Sequence, residues 1–158
     1  MDTALRDMRS EDVPVCASIV CASSIGERYA FERSAMGRTL AAALAATGRL
    51  FVADRGGRAA GFAWIDPQGA FSTAPYLRLI AVDETLRGSG VGSLLLAEFE
   101  RRTAEVGRDW CLLVSDFNQG ARAFYAKHGY REVGLLPDFA RKGIAEVLMV
   151  KKRGEEPS

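Results

Sequence analysis

The sequence predicts an α+β protein built on a mixed β-sheet, and three observations carry that prediction. Strand-patterned runs at residues 50–54, 59–65 and 76–82 follow one another across short Gly-containing breaks, as in an antiparallel meander. A glycine-rich turn, Arg87-Gly88-Ser89-Gly90-Val91-Gly92-Ser93, then leads from an apolar strand into a helix-patterned run. Beyond that helix, residues 110–115 form a nearly continuous apolar stretch, the mark of a strand buried on both faces. A meander makes antiparallel neighbours and a strand–helix–strand crossover makes a parallel pair, so one sheet holding both is mixed.

The remaining elements follow in order. Residues 4–8 make a first short strand. Ser10 is placed to cap a helix over 11–22, with Glu11 and Asp12 in its first turn and Ile19 and Val20 on its apolar face. Residues 23–33 are mixed, anchored by Ile25, Tyr29 and Phe31. An Ala-rich run over 34–46 carries Met36, Leu40 and Leu44 at helical spacing. Arg55-Gly56-Gly57-Arg58 reads as a hairpin turn and residues 66–69 as a second break. The helix over 91–106 turns Val91, Leu94, Leu95, Phe99 and Val106 inward, with Gly107 as its C′ residue. Asn118 caps a helix over 119–128 that Gly129 ends, and strands over 130–135 and 144–151 close the chain. The pattern gives about six to seven strands flanked by four helices.

A length of 158 residues suits one domain, taken as 1–153 with a polar tail at 154–158. A 48% hydrophobic and 26% charged composition is that of an ordinary globular protein. The net charge of +1 argues against a nucleic-acid partner, and the short basic clusters at 141–142 and 151–153 read as solvated surface. Cys16, Cys21 and Cys111 form no CxxC pair and have no His at metal spacing, so they read as buried apolar residues of a reducing compartment, with no metal. No apolar run approaches the ~18 residues of a membrane span, and the acidic N-terminal region lacks a signal-peptide core. The expected location is cytoplasmic, with no membrane partner.

The chemistry concentrates at the glycine-rich turn. Glycines let a backbone turn tightly and approach a ligand, and the first N–H groups of a helix have no intrahelical acceptor, so the junction is an anion site. A P-loop is excluded because no Lys follows these glycines. A dinucleotide fingerprint is excluded because Gly88, Gly90 and Gly92 read G-x-G-x-G, late in the chain, after a meander.

The pattern left, Arg87-x-x-Gly90-x-Gly92 after Ile80-Ala81-Val82-Asp83, resembles the coenzyme A pyrophosphate loop of the GCN5-related N-acetyltransferase (GNAT) superfamily. A second motif supports the resemblance: Asn118, Ala121, Tyr125, Gly129 and Tyr130 match the family's N-x-x-A-x-x-x-Y-x-x-x-G-[FY] pattern. Together the two motifs span residues 76–130, and the flanking elements fall in the family's order. The resemblance implies the GNAT fold, whose central strand pair is splayed, with acetyl-CoA as donor and an amine as acceptor, attacking directly in a ternary complex. It implies that main-chain groups near Ile80, Ala81 and Val82 meet pantetheine. It further implies that Arg87, Gly88, Ser89, Gly90, Val91, Gly92 and Ser93 hold the pyrophosphate, while Asn118 and Tyr125 meet the cofactor.

Tyr125 is the expected acid, a phenol placed to protonate the departing thiolate. The base is harder to read. A lysine amine costs about 4–5 kcal/mol to deprotonate at pH 7, an α-amine only about 1. Many family members carry a carboxylate on the strand before the loop, but here Tyr76, Arg78, Ile80 and Val82 share one face, and no carboxylate precedes Asp83. Glu146 is ranked first as the substitute, ahead of Asp116, Glu27 and Glu32. Tyr29, Phe31, Asp116, Asp138 and Phe139 are nominated as acceptor-pocket lining, Asp138 and Phe139 as part of the last hairpin's connection. His128 reads as a structural cation at a helix end. The acceptor is expected to be an amine-bearing small molecule or peptide, and near-zero charge gives little support to a tRNA acceptor. A homodimer is compatible with the sequence. The alternative from another class is a non-catalytic acyl-CoA-binding module of the same fold.

Overall fold

A computed structural model describes residues 2–47 and 49–154. Its strands are β1 (Thr3–Asp7), β2 (Leu50–Arg55), β3 (Arg58–Ala70), β4 (Ala74–Val82), β5 (Asp109–Ser115), β6 (Arg131–Arg141) and β7 (Ile144–Lys152). Its helices are α1 (Val13–Ala22), α2 (Ser24–Arg28), α3 (Arg33–Ala46), α4 (Val91–Arg102) and α5 (Gln119–Lys127). The sheet runs β1-β2-β3-β4-β5-β7-β6, with β4 and β5 parallel and the pairs β1–β2, β2–β3, β5–β7 and β6–β7 antiparallel. This is the mixed α+β sheet that the sequence predicts. No described helix is long and apolar enough to cross a membrane. By contact density the chain divides into two units, Met1–Ile65 with Leu79–Arg102, and Asp66–Arg78 with Thr103–Ser158.

In the first unit α1 and α3 bury Cys16, Ala17, Val20, Leu40 and Ala43 with Leu50, Val52 and Phe62 of the sheet. The predicted helix from Glu11 begins instead as a 3₁₀ turn, Ser10–Asp12, and becomes α-helical at Val13. Asp12 rather than Ser10 ties down this entry: its carboxylate accepts from Arg9 N (2.8 Å) and from two nitrogens of Arg6 (2.8 and 2.9 Å). The mixed segment after Ala22 holds the short α2, whose cap is the Ser23 hydroxyl accepting from Gly26 N at 3.1 Å. The Gly56-Gly57 turn appears as predicted, both residues at positive φ (64° and 87°) as a tight hairpin requires. In α4, Leu94 is 42% exposed rather than inward, and Leu96 takes the buried place beside Leu95 and Phe99. Gly61 sets the spacing here, since a Cβ on it would lie 2.8 Å from Ala81 O and 3.2 Å from Val91 Cγ1.

Three sequence expectations about element ends fail, each for a tertiary reason. The break at residues 66–69 is absent, because β3 continues through Pro67 to Ala70 and turns at Phe71-Ser72-Thr73. The β2 ladder ends at Leu50↔Trp64, so on that side Pro67 meets no strand that its missing N–H would disappoint. The helix over 91–106 stops at Arg102, and Gly107 sits in a following loop. There Trp110 Nε1 donates to the buried Thr103 hydroxyl (2.9 Å), and Arg153 donates to the carbonyls of Thr103, Val106 and Gly107 at 2.6–2.9 Å. The last hairpin is longer than predicted, β6 reaching Arg141. Asp138 and Phe139 therefore lie within β6, at an irregularity between Leu136 and Arg141, and not in its connection.

Candidate functional site

The glycine-rich turn belongs to the first unit. Asp83 opens it, its carboxylate accepting from Thr85 N (3.0 Å) and Thr85 Oγ1 (2.8 Å), which hold it below the usual carboxylate range. The carboxylate closest to the strand end is thus a turn cap. Arg87 N donates to Glu84 O (3.3 Å) and Ser89 N to Leu86 O (3.2 Å), so these two amides are spent inside the turn. Gly88 and Gly90 adopt φ of 79° and 91°, and a Cβ on either would meet nothing within 4 Å. The first α4 bond runs from Leu94 N to Gly90 O, leaving the Val91 and Gly92 N–H groups without an intrahelical acceptor at the positive end of a twelve-residue helix. Arg87 is half-exposed and pairs with Glu84 at 3.6 Å. An open backbone cradle feeding a helix N-terminus fits a diphosphate.

The second unit holds the other motif. Asn118 caps α5, its Oδ1 accepting from Ala121 N at 3.2 Å, which leaves the side-chain NH₂ as a donor. Two helical turns on, Tyr125 is 6% exposed and packs edge-on against Phe124 and Tyr130. Burial pushes its phenol well up, and Tyr76 adds to this, since two phenolates would repel. Among the described residues the Tyr125 hydroxyl makes no hydrogen bond. Glu146 stands opposite Ser115 in the β5–β7 register, 7% exposed, its carboxylate accepting from Ser115 Oγ at 3.2 and 3.4 Å. Asp116 is half-buried, and its carbonyl accepts from Arg122 at 2.8 Å. The parallel pairing of β4 with β5 extends over two residue pairs only, Tyr76↔Cys111 and Leu77↔Leu112, although the strands have nine and seven residues. Ile80, Ala81 and Val82 lie past that pairing.

The other nominated residues have mostly local tasks. Tyr29 is buried and stacks on Phe31 at 5.5 Å, and Phe31 packs against the core of the first unit. Glu32 is the N-cap of α3, accepting from Ser34 N at 3.2 Å. Asp138 has φ of 52°, and its Oδ1 accepts from Gly143 N at 2.6 Å, closing the hairpin turn. Phe139 is 62% exposed. His128 ends α5 with its ring 4.7 Å from the Phe124 ring. Sequence reasoning passed over Tyr76, whose only sequence signal is its place on the loop-bound strand, on the face it shares with Arg78.

Comparison with known proteins agrees with this geometry. Residues 46–132 match the acetyltransferase (GNAT) domain family. The chain is 36% identical over 104 residues to the "Putative phosphinothricin acetyltransferase YwnH" of Bacillus subtilis, covering 62% of this chain and 60% of that protein. It is 36% identical over 76 residues to the "Uncharacterized N-acetyltransferase MJ1530" of Methanocaldococcus jannaschii, covering 47% and 49%. It thus spans only about half to three-fifths of these relatives' lengths. In fold it is similar to Ard1 from Thermoplasma volcanium, with a TM-score of 0.82 at 22% identity over 98% of this chain and 100% of that one. It is likewise similar to an aminoglycoside 6'-N-acetyltransferase complexed with coenzyme A, with a TM-score of 0.77 at 15% identity over 98% and 99%. With more than half its length matched to that domain, and acetyl-CoA the donor its enzymes use, this chain belongs to the GNAT acetyltransferase family.

Proposed function

We propose that this chain transfers an acetyl group from acetyl-CoA to a primary amine by direct attack in a ternary complex, residues 1–153 acting as one acyltransferase domain. The observation that carries this reading is the left-handed pair Gly88 and Gly90 opening onto the amides of Val91 and Gly92. These amides bind the diphosphate, and the exposed Arg87 adds charge-assisted contact. When bound, acetyl-CoA supplies the thioester carbon that the amine attacks. Main-chain groups of Ile80, Ala81 and Val82, on the strand that leads into the glycine-rich turn, orient the pantetheine arm. Asn118 donates its free NH₂.

Glu146 takes the proton from the amine. Tyr125 gives a proton to the sulfur as the carbon–sulfur bond breaks. A buried phenol with a raised pKa stays protonated across the neutral range and is therefore a reservoir for that step. Asp116 and the exposed Phe139 are the proposed wall for the acceptor, an amine-bearing small molecule or peptide.

The test is free-thiol release from acetyl-CoA with a panel of amines that includes phosphinothricin, for which the Bacillus relative is named. Tyr125→Phe is expected to lower kcat about 100-fold with acetyl-CoA affinity within about twofold. Glu146→Gln is expected to flatten the acidic limb of the pH–rate profile. Binding of coenzyme A without transfer to any amine makes the chain an acyl-CoA-binding module, and unchanged turnover in Tyr125→Phe removes its acid role.

A further inference from the structure

The second unit places a phenol, Tyr76, on the sheet face that carries the proposed base. Cys111 faces Val150 and Ser115 faces Glu146 across the β5–β7 ladder, and Tyr76 lies beside Cys111 across the β4–β5 pairing. Directly paired residues project to the same side of a sheet, as do residues two and four apart along a strand. Tyr76, Leu148, Ser115 and Glu146 therefore share one face. Packing bears this out, for Tyr76 lies with Leu148 and Val150 against Ala70, Ala74 and Cys111. The Ser115–Glu146 row stands four residues further along β5, roughly 13 Å at about 3.3 Å per residue. Long side chains on one face lean along the strand and close much of such a gap.

Two properties set Tyr76 apart from an ordinary packing aromatic. Its ring is half-buried, yet among the described residues its hydroxyl makes no hydrogen bond. It also lies within the electrostatic reach of both proposed reactive groups. Burial pushes its phenol up, Arg78 draws it down and Glu146 pushes it up again. Tyr125 in turn feels Tyr76, after the larger effect of its own burial.

We propose that Tyr76 is a positioning residue for the transfer, an uncommitted O–H donor on the face that carries Glu146, serving the charges that form on Glu146 and Tyr125. This rests on the assignment of Glu146 as base and Tyr125 as acid. As the nitrogen–carbon bond forms, the amine proton passes to the Glu146 carboxylate. The carbon–sulfur bond then breaks with its electron pair on sulfur, which takes the Tyr125 proton. Negative charge has moved from Glu146 to the Tyr125 oxygen, and return of one proton from Glu146 to Tyr125 resets both. The Tyr76 hydroxyl, free to rotate, donates toward whichever oxygen carries the charge. No outside reagent enters the balance.

The test is a double-mutant cycle on the full chain, using the best acceptor of the amine panel. Tyr76→Phe keeps the ring against Cys111, Leu148 and Val150 and removes only the oxygen. It is expected to lower kcat about tenfold with the KM for acetyl-CoA changed by less than about twofold. Because Tyr76 acts partly through Tyr125, the loss in the double variant Tyr76→Phe/Tyr125→Phe is expected to be smaller than the product of the two single losses. Tyr76→Leu removes ring and oxygen together and is expected to lower the melting midpoint, which Tyr76→Phe leaves in place. Unchanged turnover in Tyr76→Phe overturns the proposal. So do losses that multiply in the double variant, the signature of a purely structural role. In either case a crippled Tyr125→Phe leaves the transfer assignment intact. Tyr125→Phe with full turnover, or no transfer to any amine, brings down that assignment and the Tyr76 proposal with it.

Discussion

At Gly90 one backbone angle decides what the loop can bind. A φ of 91° is a conformation that L side chains rarely adopt, and for a β-branched residue it is strained outright. Gly90→Val is therefore expected to weaken coenzyme A binding at least about tenfold in titration calorimetry, by tilting the amides of Val91 and Gly92. Unchanged affinity would place the diphosphate elsewhere. The glycines were legible in the sequence because their spacing has few other uses. Which amides they present was not, since Arg87 N and Ser89 N turn inward on carbonyls that only a folded turn brings near. Asn118 was legible as both cap and donor, and the geometry accommodates both, one through its oxygen and one through its nitrogen. Cys16 and Cys111 are buried as read, whereas Cys21 is half-buried, and burial pushes the Cys16 thiol up to about 12.

At the scale of elements, interiors were easier to read than ends. The helix after the glycine loop was expected to run on to Gly107, and the apolar spacing of Val106 encouraged that reading. It stops at Arg102 because Arg153, far along the chain, satisfies three loop carbonyls and lies over the Trp110 ring at 4.8 Å. Its Nε is buried with no partner among the described residues, which offsets part of the gain. Arg153→Ala is accordingly expected to cost about 2–3 kcal/mol in urea unfolding, less than three charge-assisted bonds would suggest. A loss under about 0.5 kcal/mol would mean that water serves these carbonyls equally well. Asp138 and Phe139 were misplaced for a related reason: an irregular stretch of β6 offers no periodicity from which to read a strand.

At the scale of the whole molecule, stability is tied to pH through the largely buried Asp12. The Arg6 guanidinium holds its carboxyl below the usual range, against the opposing effect of burial. A carboxylate with a depressed folded-state pKa stabilises the fold above its unfolded value of about 3.9, and that contribution is lost as pH falls through the folded value. Asp12→Asn is therefore expected to lose about 2–4 kcal/mol at pH 7 by denaturant titration, with the gap to the parent closing below about pH 4. A gap constant with pH would assign the loss to packing. What the sequence by itself determined is the mixed sheet, the order of its main elements and the two motifs that carry the family resemblance, because hydrophobic period, glycine spacing and helix caps are local properties of the chain. Tertiary structure alone decided where α4 stops, that β3 runs through Pro67, and that Tyr76 shares a face with Glu146. Each of these depends on a partner dozens of residues away, or on where a neighbouring strand ends, and neither is written in local pattern.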